Sequence, residues 1–133
     1  MKALVTSLGG TLLLFALVGL VFGAITGTVW FDDGATEEAP CCVVTLHPLT
    51  DCTGNQLDVT GTDSCGVYAL SNVAPDTWYG VKVHFNLTFC AAAYGEGDCP
   101  ETIVCDSVRT NRLGDAGLDF TVGLDSCDNV GCD

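Results

Sequence analysis

Between Thr62 and Pro75 the chain alternates with a period of two, and this narrows its folding options more than any other stretch. Residues two apart in a strand share a face, so Tyr68 and Leu70 point one way and Val67, Ala69 and Ser71 the other. Gly66 lets the chain enter that strand from a tight polar turn. Asn72 to Asp76 supply the exit turn, and alternation resumes from Tyr79 to Phe85. There Val81, Val83 and Phe85 turn inward, and Lys82 and His84 turn outward. Two strands joined in this way form a hairpin with one wet face and one dry face.

The same pattern recurs along the chain. Ile25 to Phe31 places Ile25, Val29 and Phe31 on one face, and Cys42 to His47 places Cys42, Val44 and Leu46 inward. Gln56 to Thr60 reads as a third strand. Thr102 to Val108 reads as a sixth with no clear face, and Leu118 to Leu124 as a seventh, alternating through Leu118, Phe120, Val122 and Leu124. Short strands separated by turns, sixteen glycines and no helical periodicity after residue 25 predict an all-β, seven-stranded Greek-key β-sandwich. No internal repeat is present. The domain is expected over residues 24–124, with a cysteine-containing tail over 125–133.

Ahead of the domain lies an uncharged run from Ala3 to Ile25, after Met1 and Lys2. Val21 and Gly23 suit the −3 and −1 positions of a signal peptide, so residues 1–23 are expected to be cleaved. An uncleaved membrane anchor and a prepilin-like leader that keeps an apolar helix stand as alternatives. All three export the remainder, to an extracellular or cell-surface location.

Export gives meaning to the cysteines. All nine follow the apolar run: Cys41, Cys42, Cys52, Cys65, Cys90, Cys99, Cys105, Cys127 and Cys132. Exported domains this rich in cysteine are stapled by disulfides. No C-x-x-C pair exists and neither histidine has a partner at zinc-finger spacing, which argues against a metal thiolate site.

Four Lys and Arg against seventeen Asp and Glu give a net charge of −13, which disfavours nucleic acid and anionic lipid as partners. No nucleophile signature includes His47 or His84, so no enzyme is expected, and both histidines read as surface residues. Trp30 and Trp78 sit at strand ends and are expected to close the core. Asn86 begins the sequon Asn86-Leu87-Thr88 and faces water if Phe85 faces the core, which makes it a candidate glycosylation site.

Ile25-Thr26-Gly27-Thr28-Val29-Trp30-Phe31-Asp32-Asp33-Gly34 resembles the opening of Sdr-type B-repeat and Cna B-type domains. Thr62 to Val73 resembles their second signature, Ala74 to Val83 the tyrosine-led strand that follows a proline, and Asp119-Phe120 the closing strand. The resemblance covers Ile25 to Leu124 and implies a transthyretin-like, carboxypeptidase-regulatory-like sandwich used in stalks, adhesins and filament subunits. Many such domains carry a lysine–asparagine isopeptide bond. Here the exported part holds only Lys82, facing outward, so none is expected. Some B-repeats bind calcium in an acidic first loop. Asp32, Asp33, Glu37 and Glu38 are oxygen ligands in the matching region, although the loop is short and lacks a regular ligand alternation.

The expected role is a disulfide-stabilised structural subunit of an extracellular filament, hair or surface layer. A small adhesive or ligand-binding module is the alternative. Expected partners are further copies of the chain or other extracellular proteins, with membrane contact only through residues 1–25 if uncleaved. Alternating strand directions gather Cys41, Cys42, Cys65, Cys90, Cys99 and Cys127 at one end of the sandwich. Cys52 falls in the turn at the other end. A six-residue strand is roughly 20 Å long, and a disulfide needs Cα atoms within about 7 Å. Unless the tail carrying Cys132 folds back to it, Cys52 is therefore expected to be a free thiol or to bridge to a neighbouring subunit.

Overall fold

The computed structural model describes residues 23–31, 37–86 and 101–123. The expected signal segment, the tail 125–133, Asp32, Asp33, Cys90, Cys99, Cys127 and Cys132 lie outside the described residues. The chain is all-β. Its strands are β1 (Gly23–Trp30), β2 (Val43–His47), β3 (Asp58–Gly61), β4 (Val67–Val73), β5 (Trp78–Phe85), β6 (Thr102–Arg109), β7 (Ala116–Gly117) and β8 (Phe120–Thr121).

They form two sheets, one ordered β4-β1-β7 with β8 also on β1, the other ordered β3-β2-β5-β6. The second sheet is antiparallel throughout, and β1 is antiparallel to β4. β7 and β8 run parallel to β1. Strands that alternate in direction along the chain give the first and the last the same sense, so the two pair in parallel when the last closes the sheet beside the first.

Between the sheets lies the apolar side of each alternation. Ile25, Val29, Phe31, Cys42, Val44, Leu46, Tyr68, Leu70, Val81, Val83 and Phe85 are all buried, as the period of two predicts. Phe31 and Phe85 meet edge to face at 5.6 Å between ring centroids, joining the sheets at the end where β1 and β5 finish. At that end Asp63 organises the entry to β4. Its carboxylate accepts the amides of Cys65 and Val67, and Gly66 takes a left-handed φ of 74° that a side chain would disfavour.

Three expectations change. The seventh strand is two short pieces, because the chain breaks its ladder at Leu118 and Asp119. There the Asp119 carboxylate, in place of a backbone carbonyl, accepts the Thr28 amide at 2.9 Å, and Asp115 does the same for Ala24 at 3.0 Å. Trp78 does not close the core: it stands on the outer face of β5, 55% exposed, because Tyr79, Val81, Val83 and Phe85 take the inner one. His47 is not a surface residue. It is buried on the outer face of β2, where it shares a 2.8 Å hydrogen bond with Thr45 Oγ1, and its Nδ1 has no partner among the described residues.

Candidate functional site

What buries part of that outer face is the connection from β2 to β3, a strap over residues 48–57. A β2–β3 turn could simply project from the end of the sandwich. Here it folds back flat over β5, and it can do so because β5 has no side chain at Gly80. A Cβ there would lie 2.2 Å from the Leu49 carbonyl oxygen and 3.0 Å from the Cys52 nitrogen. Within the strap, Cys52 donates its amide to Leu49 O, and the Asp51 carboxylate accepts both the amide and the hydroxyl of Thr53. Those two hydrogen bonds hold the exposed Asp51 carboxyl below its ordinary range.

The strap reaches the neighbouring strand and is bonded to it. Cys52 and Cys105 form a disulfide with Cα atoms 6.2 Å apart. This corrects the reading of Cys52 as a free or intermolecular thiol. The strand-length argument considered only cysteines at the ends of the sandwich. Cys105 stands in the middle of β6, opposite Lys82 of β5, and the strap crosses to it over Gly80.

The free thiol among the described residues is Cys42. It was expected in a bridge, but alternation turns it into the core, away from the turn that holds Cys41. Its amide donates to Thr62 Oγ1, and its Sγ lies 3.5 Å from the Ala39 carbonyl. Burial pushes the thiol up to about 12, against a smaller opposing effect from Thr62, so it stays protonated and unreactive at neutral pH. Cys41 and Cys65 are each disulfide-bonded. They lie at the same end of the sandwich, where the Cys41 amide donates to Thr62 O.

Beyond the bridge lies the edge of the second sheet. The two edges differ. β3 has four residues, and its Asp58 carboxylate reaches across to the Ser71 amide of β4, so that edge is short and tied down. β6 has eight residues and no strand beyond it among the described residues. Thr110 donates to Thr77 O across the β5–β6 ladder. Counting back by twos, Val108, Asp106, Val104 and Thr102 turn their backbone groups toward β5, and Ile103, Cys105, Ser107 and Arg109 turn theirs outward. The Ser107 amide is taken by the carboxylate of Asp106 at 2.8 Å. Ile103 is 58% exposed on the outer face, the same face as Trp78, and Val59 of β3 is also exposed there.

Of the four expected calcium ligands, only Glu37 and Glu38 are among the described residues. Their backbone runs back along β1, where Phe31 donates to Glu37 O and Trp30 bridges Glu38. No group of three His, Cys, Asp or Glu that could hold a metal ion occurs among the described residues. Asn86 is half-buried rather than freely solvated. Its side-chain amide donates to Glu101 Oε2 at 2.9 Å, and His84 Nε2 bonds the same oxygen. These two hydrogen bonds, His84 first, hold the Glu101 carboxyl below its ordinary range.

Sequence reasoning passed over Gly80 and Ile103. A lone glycine inside a well-alternating strand marks a close backbone approach, and that signal was present at Gly80. Nothing in the residues from Thr102 to Arg109 announces an edge strand, because edge position is decided by the order of strands. The chain matches no protein-family model, and a search of curated proteins returns no match.

Proposed function

We propose that this chain is an exported structural subunit that builds an extracellular filament, hair or surface layer from copies of a Cna B-like β-sandwich. The observation that carries the reading is the edge of the eight-residue β6, which has no strand beyond it among the described residues, beside a strap that a disulfide locks to the same strand. An open edge presents unpaired backbone groups to another chain. A disulfide between strap and sheet suits a subunit that must keep its shape in an oxidising exterior. The apolar N-terminal run and the nine cysteines behind it support export.

Negative-stain microscopy of oxidised, exported protein is the direct test. Regular fibres or sheets are expected at high protein concentration. Finding only monomers there, with the Cys52–Cys105 bridge intact, would remove the assembly reading and favour the adhesive module.

A further inference from the structure

We propose that the open part of β6 pairs with β6 of a second copy of this chain, antiparallel about a two-fold axis at Val104. The proposal rests on the assembly reading and names the contact it would use.

Two residues on the edge, Ile103 and Cys105, turn both backbone groups outward and make no backbone hydrogen bond there among the described residues. Asp106 ends this window, because its carboxylate already holds the next outward amide, that of Ser107. The window is thus three residues long with Val104 at its centre. An antiparallel copy placed on it sets Ile103 opposite the partner's Cys105, and Cys105 opposite the partner's Ile103. Each facing pair exchanges two N–H···O=C bonds, and every open group in the window is used.

The side chains agree with that register. Val104, half-buried at the rim of the core, meets its own copy on the inner face and extends the apolar layer across the axis. Ile103 comes to lie beside the partner's Cys52–Cys105 bridge on the outer face, which covers an exposed apolar side chain with an apolar surface. Asp106 faces the partner's Thr102 rather than another carboxylate. Glu101 comes diagonally to the partner's Arg109 on the outer face, and the two-fold axis makes that opposite-charge pair twice. A register centred nearer Asp106 would need the Ser107 amide, which is taken, and would bring two Asp106 carboxylates together. A net charge of −13 opposes any contact between copies, so the pairing strengthens as salt screens it.

The test is sedimentation equilibrium of the oxidised, exported protein in about 0.5 M NaCl, with hydrogen exchange of single amides on the same samples. Wild type is expected to dimerise, and the Ile103 and Cys105 amides to gain protection as concentration rises, with the Ser107 amide unchanged. In Ile103→Pro the proline removes an outward N–H and no bond to β5, so the fold and the melting temperature should persist. Its dimer dissociation constant should rise at least about tenfold. Ile103→Lys, which keeps the amide but puts a charge on the bridge of the other copy, should weaken the dimer in the same direction if the proline variant does not fold.

A folded Ile103→Pro or Ile103→Lys protein that dimerises as tightly as wild type overturns the proposal. Fibres that persist unchanged in Ile103→Pro would overturn this contact and leave the assembly reading standing. Dimers that never grow larger would support the contact and remove the polymer. Monomers at every concentration would remove both.

Discussion

At Gly27 in the first sheet and at Gly80 in the second, a backbone carbonyl from another segment rests where a side chain would stand. At Gly27 it is the Leu118 oxygen, 1.8 Å from the position of a Cβ, and at Gly80 it is the Leu49 oxygen, 2.2 Å away. The two crossings are fastened differently. Leu118 O accepts the hydroxyl of the buried Tyr68, Asp119 holds the Thr28 amide, and Asp115 holds the Ala24 amide. The strap over Gly80 is held by the Cys52–Cys105 bond. One seam relies on side chains that stand in for a broken ladder, and the other on a covalent bond laid over an intact one. The first seam closes a sheet and carries core residues Phe120 and Val122, whereas the second covers an outer face.

That difference sets the largest expected effect. In Gly27→Ala the methyl group meets a carbonyl held on one side by Tyr68 and on the other by the β1 ladder, so the last strand must leave β1. A loss of roughly 3 kcal/mol or more is expected. In Gly80→Ala the displaced group belongs to a loop that can lift, so about 1–2 kcal/mol is expected. Lifting also pulls Cys52 away from Cys105, so an added dithiol should reduce this bridge at a lower concentration than in wild type. Denaturant unfolding of the two variants measures the comparison. Equal losses would show that the strap is as integral to the core as the last strand is.

Much of the core and little of either seam was legible beforehand. The buried faces of β1, β2, β4 and β5 follow from period-two alternation, which needs only that one side of a strand be dry. The turn at Asp63 to Gly66 was equally readable, because a glycine after a polar cluster has few other uses. The split of the last strand was not, because Leu118 to Leu124 alternates well, and only the side-chain acceptor of Asp119 replaces the missing ladder bond. The placement of Cys52 failed for a related reason. Strand length sets distances between ends of a sandwich, but a loop that folds over a glycine is not confined to its own end. The expectation for Cys42 rested on cysteine density and neglected its own position in the alternation.

Removing the fasteners is the second comparison. Replacing Cys52 and Cys105 with alanine releases a closed loop of sequence separation 53, and about 2–4 kcal/mol should be lost. Tyr68→Phe keeps the ring against Phe120 and removes only the hydroxyl, leaving the Leu118 carbonyl without that donor. A loss of about 1–3 kcal/mol is expected. Thermal unfolding of both variants, with free thiols counted in each, ranks the seams. A Tyr68→Phe protein as stable as wild type would show that Asp115 and Asp119 close the first sheet without Tyr68.

The smallest effect depends on pH and separates the seams by chemistry. Tyr68 must be protonated to donate to Leu118 O. Burial raises its ionisation above the ordinary 10.0, and the negative charges of Asp119 and Asp106 add to this. A group raised in the folded state gives its full stability below its unfolded value and loses it as pH climbs toward the folded one. Between pH 10 and 11 the advantage of wild type over Tyr68→Phe should therefore shrink, by up to about 1.4 kcal/mol per pH unit. Cys42, whose thiol is also raised, is present in both proteins and cancels in the difference. The disulfide does not titrate, so the gap between wild type and the Cys52→Ala, Cys105→Ala double variant should stay constant over the same window. Stability measured by rapid denaturant unfolding at each pH tests both halves. A constant gap for Tyr68→Phe would show that its hydroxyl does not hold the seam, and a shrinking gap for the double variant would show that the strap is fastened by a titrating group as well as by the bond.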